Sequence, residues 1–273
     1  MVGFKKLSKR FSLISTRSTM PEATVKGTKI HFLEKKGASS FRVLFIHGSG
    51  GNADGWKRVM EGLDGFHTLA VDLPGHGGSQ GEGKTTIPEY AEFVKYFCEA
   101  LGLNEIVLGG HSLGGGIVLD FAVRFPAMLK ATLLIGTGAR LRVFPEALDL
   151  LKKMAEGEIP PKFEPWAFSK RATPEVLREG EGEWAKTSPK VRYYDMLACD
   201  QFDIMEELGK IKCPSLIVCG REDRLTPIKY SEFLNSKIAG SRMEIVEGVA
   251  HMPMLENPKA LSSVLSEFLR TLS

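Results

Sequence analysis

The sequence predicts an α/β fold: a mostly parallel, twisted sheet flanked by helices, with a helical cap inserted into it. Two observations carry this expectation. Short apolar runs alternate with stretches of helical periodicity along most of the 273 residues, the order expected of a parallel sheet covered on both faces. The alternation stops between residues 138 and 208, where the chain is charged and rich in aromatic side chains. There Pro160, Pro161, Pro165, Pro174 and Pro189 break it into short helices.

The elements follow in order. Residues 28–33 read as an early edge strand. Residues 43–46 form a buried strand ending at His47, and 68–71 the next, ending at Asp72. A helix over 88–101 places Tyr90, Val94, Phe97 and Leu101 on one face. The apolar run 106–108 leads into Gly110-His111-Ser112-Leu113-Gly114, after which Ile117, Val118, Leu119 and Phe121 mark a helix. Strands at 132–135, 215–219 and 243–246 complete the sheet. The last helix has Asn257 as its N-cap, Pro258 in its first turn, and Leu261, Leu265, Phe268 and Leu269 facing inward. The expected organisation is a basic extension over 1–20, a core built from 21–137 and 209–273, and a cap over 138–208.

Bulk composition narrows the class. Hydrophobic residues make up 43% and charged residues 25%, ordinary for a soluble globular protein. The formal charge is +3, but Lys5, Lys6, Lys9, Arg10 and Arg17 all fall in the first twenty residues, which hold no acid. The remainder carries 31 basic and 33 acidic residues, which argues against a nucleic-acid groove. No run of apolar residues is long enough to span a membrane. The preferred reading of residues 1–20 is a loose extension, with a true start at Met20 as one version of it. The alternative is a basic amphipathic helix, with Phe4, Leu7, Phe11 and Ile14 on one face, making weak contact with a membrane surface or acting as a transit-like peptide. Cys98, Cys199, Cys213 and Cys219 lack metal-ligand spacing. They read as small buried hydrophobes in a reducing, cytoplasmic setting.

The chemistry is concentrated around Ser112. The strand–Gly-x-Ser-x-Gly–helix order is that of a nucleophile elbow, in which the serine sits on a strained turn with neighbouring backbone packed close to the glycines. A serine hydroxyl needs a base, and the base needs a group that fixes its tautomer. Of the six histidines only His251 lies downstream of Ser112, in a loop after the 243–246 strand. Asp223, in the loop after 215–219, suits the acid, with the adjacent Glu222 left open by spacing alone. Two backbone N–H groups should meet a developing oxyanion: that of Leu113, after the nucleophile, and that of Ser49, in the glycine-rich loop His47-Gly48-Ser49-Gly50-Gly51. That loop lacks the residues of a phosphate-binding motif. No metal and no organic cofactor are expected.

Together with Asp72-Leu73-Pro74-Gly75-His76-Gly77-Gly78-Ser79 and the stretch from Ala250 to Pro258, these motifs resemble the α/β-hydrolase superfamily from about residue 27 onward. The resemblance implies Ser112 as nucleophile, Asp223 as acid and His251 as base, and a mainly structural role for the 72–79 loop. It also implies a small-molecule substrate. The serine sets aside the dehalogenases and epoxide hydrolases of this fold, which use an aspartate. The stretch 47–56 looks like that of hydrolases that cleave C–C bonds in aromatic ring-fission products, but those typically carry tryptophan where Met252 stands. The remainder looks more like small carboxylesterases and lactonases. The expected activity is hydrolysis of short- to medium-chain carboxylic esters. C–C bond hydrolysis and a slow-turnover ligand receptor are the alternatives.

Other residues are expected to be structural. Trp56 should pack beneath the glycine-rich loop, His111 should brace the elbow, and Arg140 and Arg142 should form an exposed basic turn. More than half of the cap aromatics, with Met154, Met196 and Met205, should be ordinary packing residues.

Overall fold

The computed structural model describes residues 21–272. Expectations for residues 1–20 lie outside the described residues. Eight strands form the sheet: β1 (Glu22–Val25), β2 (Thr28–Lys35), β3 (Arg42–Ile46), β4 (His67–Val71), β5 (Ile106–His111), β6 (Leu129–Ile135), β7 (Ser215–Gly220) and β8 (Arg242–Val246). Their spatial order is β1-β2-β4-β3-β5-β6-β7-β8. The pairs β1–β2 and β2–β4 are antiparallel, and every pair from β4 through β8 is parallel.

The strands alternate between two cores. Leu44, Ile46, Ile106, Leu108, Leu134 and Ile217 face one, and Val43, Phe45, Val107, Leu133, Leu216 and Val218 face the other. The described residues form nine helices: α1 (Lys57–Gly62), α2 (Ile87–Ala100), α3 (Leu113–Arg124), α4 (Pro145–Ala155), α5 (Pro174–Ala185), α6 (Pro189–Asp200), α7 (Ile228–Lys237), α8 (Pro253–Glu256) and α9 (Pro258–Arg270). Helices α2, α3 and α7 supply the first core, and α1 and α9 the second. Stacking on two faces explains why the central strands read as nearly unbroken apolar runs.

One expectation about the sheet is corrected. The strand at 28–33 is not an edge. It runs to Lys35, and β1 covers its outer side. Four residues of alternating burial gave β1 too little pattern to stand out from a turn. Between β6 and β7 the chain forms no strand of the sheet and carries α4, α5 and α6. Pro174 and Pro189 begin α5 and α6 rather than merely interrupting them, since a first-turn proline gives up no helical hydrogen bond. Among the described residues, no helix is long and apolar enough to cross a membrane.

Candidate active site

Four loops leave the carboxyl ends of β3, β5, β7 and β8 and converge on a cavity of about 270 Å³. Parallel pairing puts these ends on the same edge of the sheet, so residues far apart in sequence become neighbours.

Ser112 stands between β5 and α3 with φ 53° and ψ −116°, a strained conformation for a residue with a side chain. The glycines two positions either side have steric reasons. A Cβ on Gly110 would lie 2.1 Å from the Gly114 carbonyl oxygen, and one on Gly114 would lie 2.5 Å from that of Ile46. The Thr137 hydroxyl donates to the Ser112 carbonyl oxygen at 2.8 Å and fixes the turn from behind.

His251 and Ser112 line the same cavity. His251 Nδ1 donates to Asp223 Oδ2 at 2.8 Å, which leaves Nε2 as the nitrogen free to exchange a proton. Neither Nε2 nor the Ser112 hydroxyl is hydrogen bonded within the described residues, as is common where such a contact tightens only around a substrate. Asp223 is buried and saturated. Its Oδ1 accepts the N–H groups of Leu225 and Thr226, both at 2.9 Å, and its Oδ2 accepts the Thr226 hydroxyl at 2.8 Å. Burial by itself would raise this carboxyl. The bond and charge of His251 outweigh it, with help from Thr226, and hold Asp223 below the ordinary carboxylate value. Glu222, left open by sequence spacing, instead pairs with Arg171 at 3.6 Å.

The loop of His251 is braced from several sides. The His111 ring donates from Nε2 to the His251 carbonyl at 2.7 Å. Glu256 accepts the N–H groups of Ala250 at 3.0 Å and Met252 at 3.3 Å through one oxygen, and that of Ser169 at 2.9 Å through the other. The backbone N–H of His251 donates to Ala167 in the β6–β7 insertion. Burial, then the neighbouring His251, lowers the His111 pKa to about 3, so this ring stays neutral.

The glycine-rich loop after β3 lines the same cavity as His251. Ser49 lines the cavity, and among the described residues no protein acceptor takes the N–H of Ser49 or of Leu113. Gly51 N–H donates to the Gly48 carbonyl, and Gly50 N–H to the Asp195 carboxylate at 2.8 Å. Asp72 anchors the loops behind. It takes His31 Nδ1 at 2.7 Å, Ala53 N–H at 2.6 Å and Gly78 N–H at 2.7 Å, which accounts for the structural part expected of residues 72–79. Trp56 stacks on Phe45 with ring centroids 4.6 Å apart, as expected of a core residue, and it also lines the cavity.

The insertion supplies most of the cavity's apolar wall. Phe163, Trp166, Phe168, Trp184, Met154 and Met196 all line it, whereas Tyr193, Tyr194, Phe202 and Met205 do not. The expectation that most of these residues are plain packing is therefore corrected. Short helices folded over the sheet edge turn their apolar faces toward the cavity as well as toward each other. Trp166 and Leu225 are 52% and 45% exposed and mark its mouth. Arg140 pairs with Asp203 at 3.4 Å and Arg142 donates to the Asp200 carbonyl, both at the surface. Among the described residues, no cluster of acidic, histidine or cysteine side chains could hold a metal ion.

Sequence reasoning missed Thr226 and the group formed by Asp195, His76 and Tyr90. Thr226 had a signal in the Asp-x-x-Thr spacing of an Asx-type turn. Asp195 had one too: it shares the buried face of α6 with Val191, Arg192, Ala198 and Cys199, an odd place for a carboxylate.

The chain belongs to the α/β-hydrolase fold family, whose model matches residues 42–258. A solved esterase from Thermogutta terrifontis superposes with a TM-score of 0.81 at 27% identity, covering 92% of this chain and 98% of that one. Lipase 1 of Psychrobacter immobilis is 27% identical over 88% of this chain and 82% of its own length. A 2-hydroxy-6-oxo-6-phenylhexa-2,4-dienoate hydrolase of Comamonas testosteroni is 24% identical over 84% of this chain and 87% of its own. The protein is a hydrolase of the α/β fold.

Proposed function

We propose that this hydrolase cleaves short- to medium-chain carboxylic esters through an acyl-enzyme on Ser112. The observation that carries the reading is the His251–Asp223 hydrogen bond in an apolar cavity that Ser112 also lines. In the proposed cycle His251 Nε2 takes the proton of the Ser112 hydroxyl as the oxygen attacks the ester carbonyl. Asp223 holds the tautomer and balances the imidazolium that forms. The N–H groups of Ser49 and Leu113 receive the oxyanion, each contributing about 3–4 kcal/mol to the transition state. His251 returns the proton to the departing alcohol. A water molecule then gives its proton to His251 and attacks the acyl carbonyl, and collapse of that adduct releases the acid and restores the Ser112 hydroxyl. The cap over 138–208 selects the acyl and alcohol groups through its apolar wall. A cytoplasmic location belongs to the same proposal and rests on four cysteines, none in a disulfide.

Esterase and lipase relatives support this choice. C–C bond hydrolysis is favoured by the Comamonas testosteroni relative but lacks a tryptophan after His251. The test is a panel of p-nitrophenyl esters of increasing acyl length, run beside a ring-fission dienoate, with a fluorophosphonate label mapped to its residue. Steady ester turnover, labelling at Ser112, and loss of both in Ser112→Ala are expected. Labelling elsewhere, or dienoate turnover far above any ester, overturns the reading.

A further inference from the structure

Resting on the esterase reading, we propose that Asp195, on helix α6 of the insertion, is a positioning residue for the oxyanion loop. Its carboxylate holds the N–H of Gly50 and so fixes the peptide that follows Ser49.

Asp195 is fully buried, 145 positions from Gly50 in sequence, and both of its oxygens are hydrogen bonded. Oδ2 accepts Gly50 N–H at 2.8 Å and His76 Nε2–H at 2.9 Å, and Oδ1 accepts the Tyr90 hydroxyl at 2.6 Å. The other nitrogen of His76 faces the Pro74 carbonyl at 3.1 Å. Both partners of that ring are acceptors, which favours hydrogen on both nitrogens and positive charge on the ring. Asp195 therefore meets a buried countercharge, and its second and third donors hold it in one orientation.

Gly50 needs such holding. Its φ is +66°, a backbone state that a glycine can leave at little cost. Arg192, one turn before Asp195 on α6, closes the other side. Its Cγ lies 2.9 Å from where a Gly50 Cβ would sit, and its guanidinium stacks on Trp184 at 3.7 Å while donating to the Trp184 carbonyl at 2.8 Å. One face of α6 thus grips the loop by stem and carboxylate together. The Ser49 N–H, which has no protein acceptor among the described residues, lies between Gly48 and this grip. Catalysis by such a donor depends on its being in place before charge develops, and a shift of about 1 Å can cost about a hundredfold in rate.

The experiment uses the full chain. Wild-type ester turnover and fluorophosphonate labelling at Ser112 come first; if both are missing, the esterase reading has failed, and the variants are read only when both are present. Asp195→Ala is compared with Leu234→Ala, which removes a buried side chain on α7 away from the cavity. Expected for Asp195→Ala is a fall in kcat of about tenfold to a hundredfold with KM within about threefold, and weaker binding of a boronic acid transition-state analogue by the same factor as kcat. Leu234→Ala should lose melting temperature but keep kcat. Asp195→Asn, which still offers Gly50 an oxygen, should recover most of the loss. Should Asp195→Ala not fold, Asp195→Glu decides. It keeps the charge beside His76 but moves the acceptor by about 1.5 Å, one C–C bond, and should lose kcat. The proposal is overturned if kcat survives in Asp195→Ala or Asp195→Glu, if the loss appears in KM alone, or if Asp195→Asn is no better than Asp195→Ala.

Discussion

Asp223 and Glu222 are adjacent carboxylates with different fates, and the difference lies in the turn that follows. The N–H groups of Leu225 and Thr226 and the Thr226 hydroxyl point at position 223, while position 222 turns out toward Arg171. On the proposed mechanism, Asp223→Asn keeps the fold but presents the wrong imidazole tautomer, so kcat on a p-nitrophenyl ester should fall about 10⁴-fold. Glu222→Gln should leave kcat unchanged in the same assay. The site motifs were readable because each chemical part is short and local: a serine between glycines, a histidine after a strand, a glycine-rich loop. Spacing could not choose between the two carboxylates, because hydrogen-bond direction is not written in spacing. Asp195 could be marked as an odd residue on an apolar face, but its role was out of reach for a different reason. Its three donors come from Gly50, His76 and Tyr90, which only the folded chain gathers.

Helix α9 shows how much of an element the local sequence specifies. The Asn257 side chain accepts the Ala260 N–H at 3.0 Å, Pro258 opens the first turn, and Leu261, Leu265, Phe268 and Leu269 are buried against the second core. Each feature follows from a residue type at a fixed offset, and each was expected. Asn257→Ala should cost about 1 kcal/mol of unfolding free energy, and Leu265→Ala about 2–5 kcal/mol. Urea titration checks both, and a ratio near one would contradict this division between cap and core. Helices α1 and α7 were not anticipated. The first has six residues, and the second buries only Ser231 and Leu234 along its length. Neither repeats an apolar period often enough to be seen. Strand β1 escaped for the same reason.

At the scale of the whole molecule, buried histidines of opposite tendency contribute to the pH dependence of stability. Burial, then the charge of His76, lowers the His47 pKa to about 4, and His111 lies at about 3. The unfolded chain protonates both near 6.5, so stability from these rings is present above that value and is lost as pH falls toward 4. His76 runs the other way. Burial lowers its pKa, but the Asp195 charge and hydrogen bond outweigh that and raise it, so its contribution is full below 6.5 and is lost as pH rises through the raised value. Melting temperature should therefore peak near neutrality and fall on both sides. His111→Asn should flatten the acid limb in a calorimetric series from pH 4 to 9; an unchanged limb would show that other groups control it. The layered sheet and the helical excursion between β6 and β7 were legible in the chain, because alternation of apolar runs is a global pattern. Which insertion side chains face the cavity was not, since short helices pack on more than one side.

The grip of α6 on Gly50 bears on transplantation. Exchanging residues 138–208 for the equivalent segment of another hydrolase is an obvious route to new substrate preference. A graft with no hydrogen-bond acceptor at the position of Asp195 would take away the buried partner of His76 and release Gly50. Such a chimera would inherit a new pocket over a slackened rate-determining centre, so donor segments should be chosen first for that one acceptor and only then for the shape they enclose.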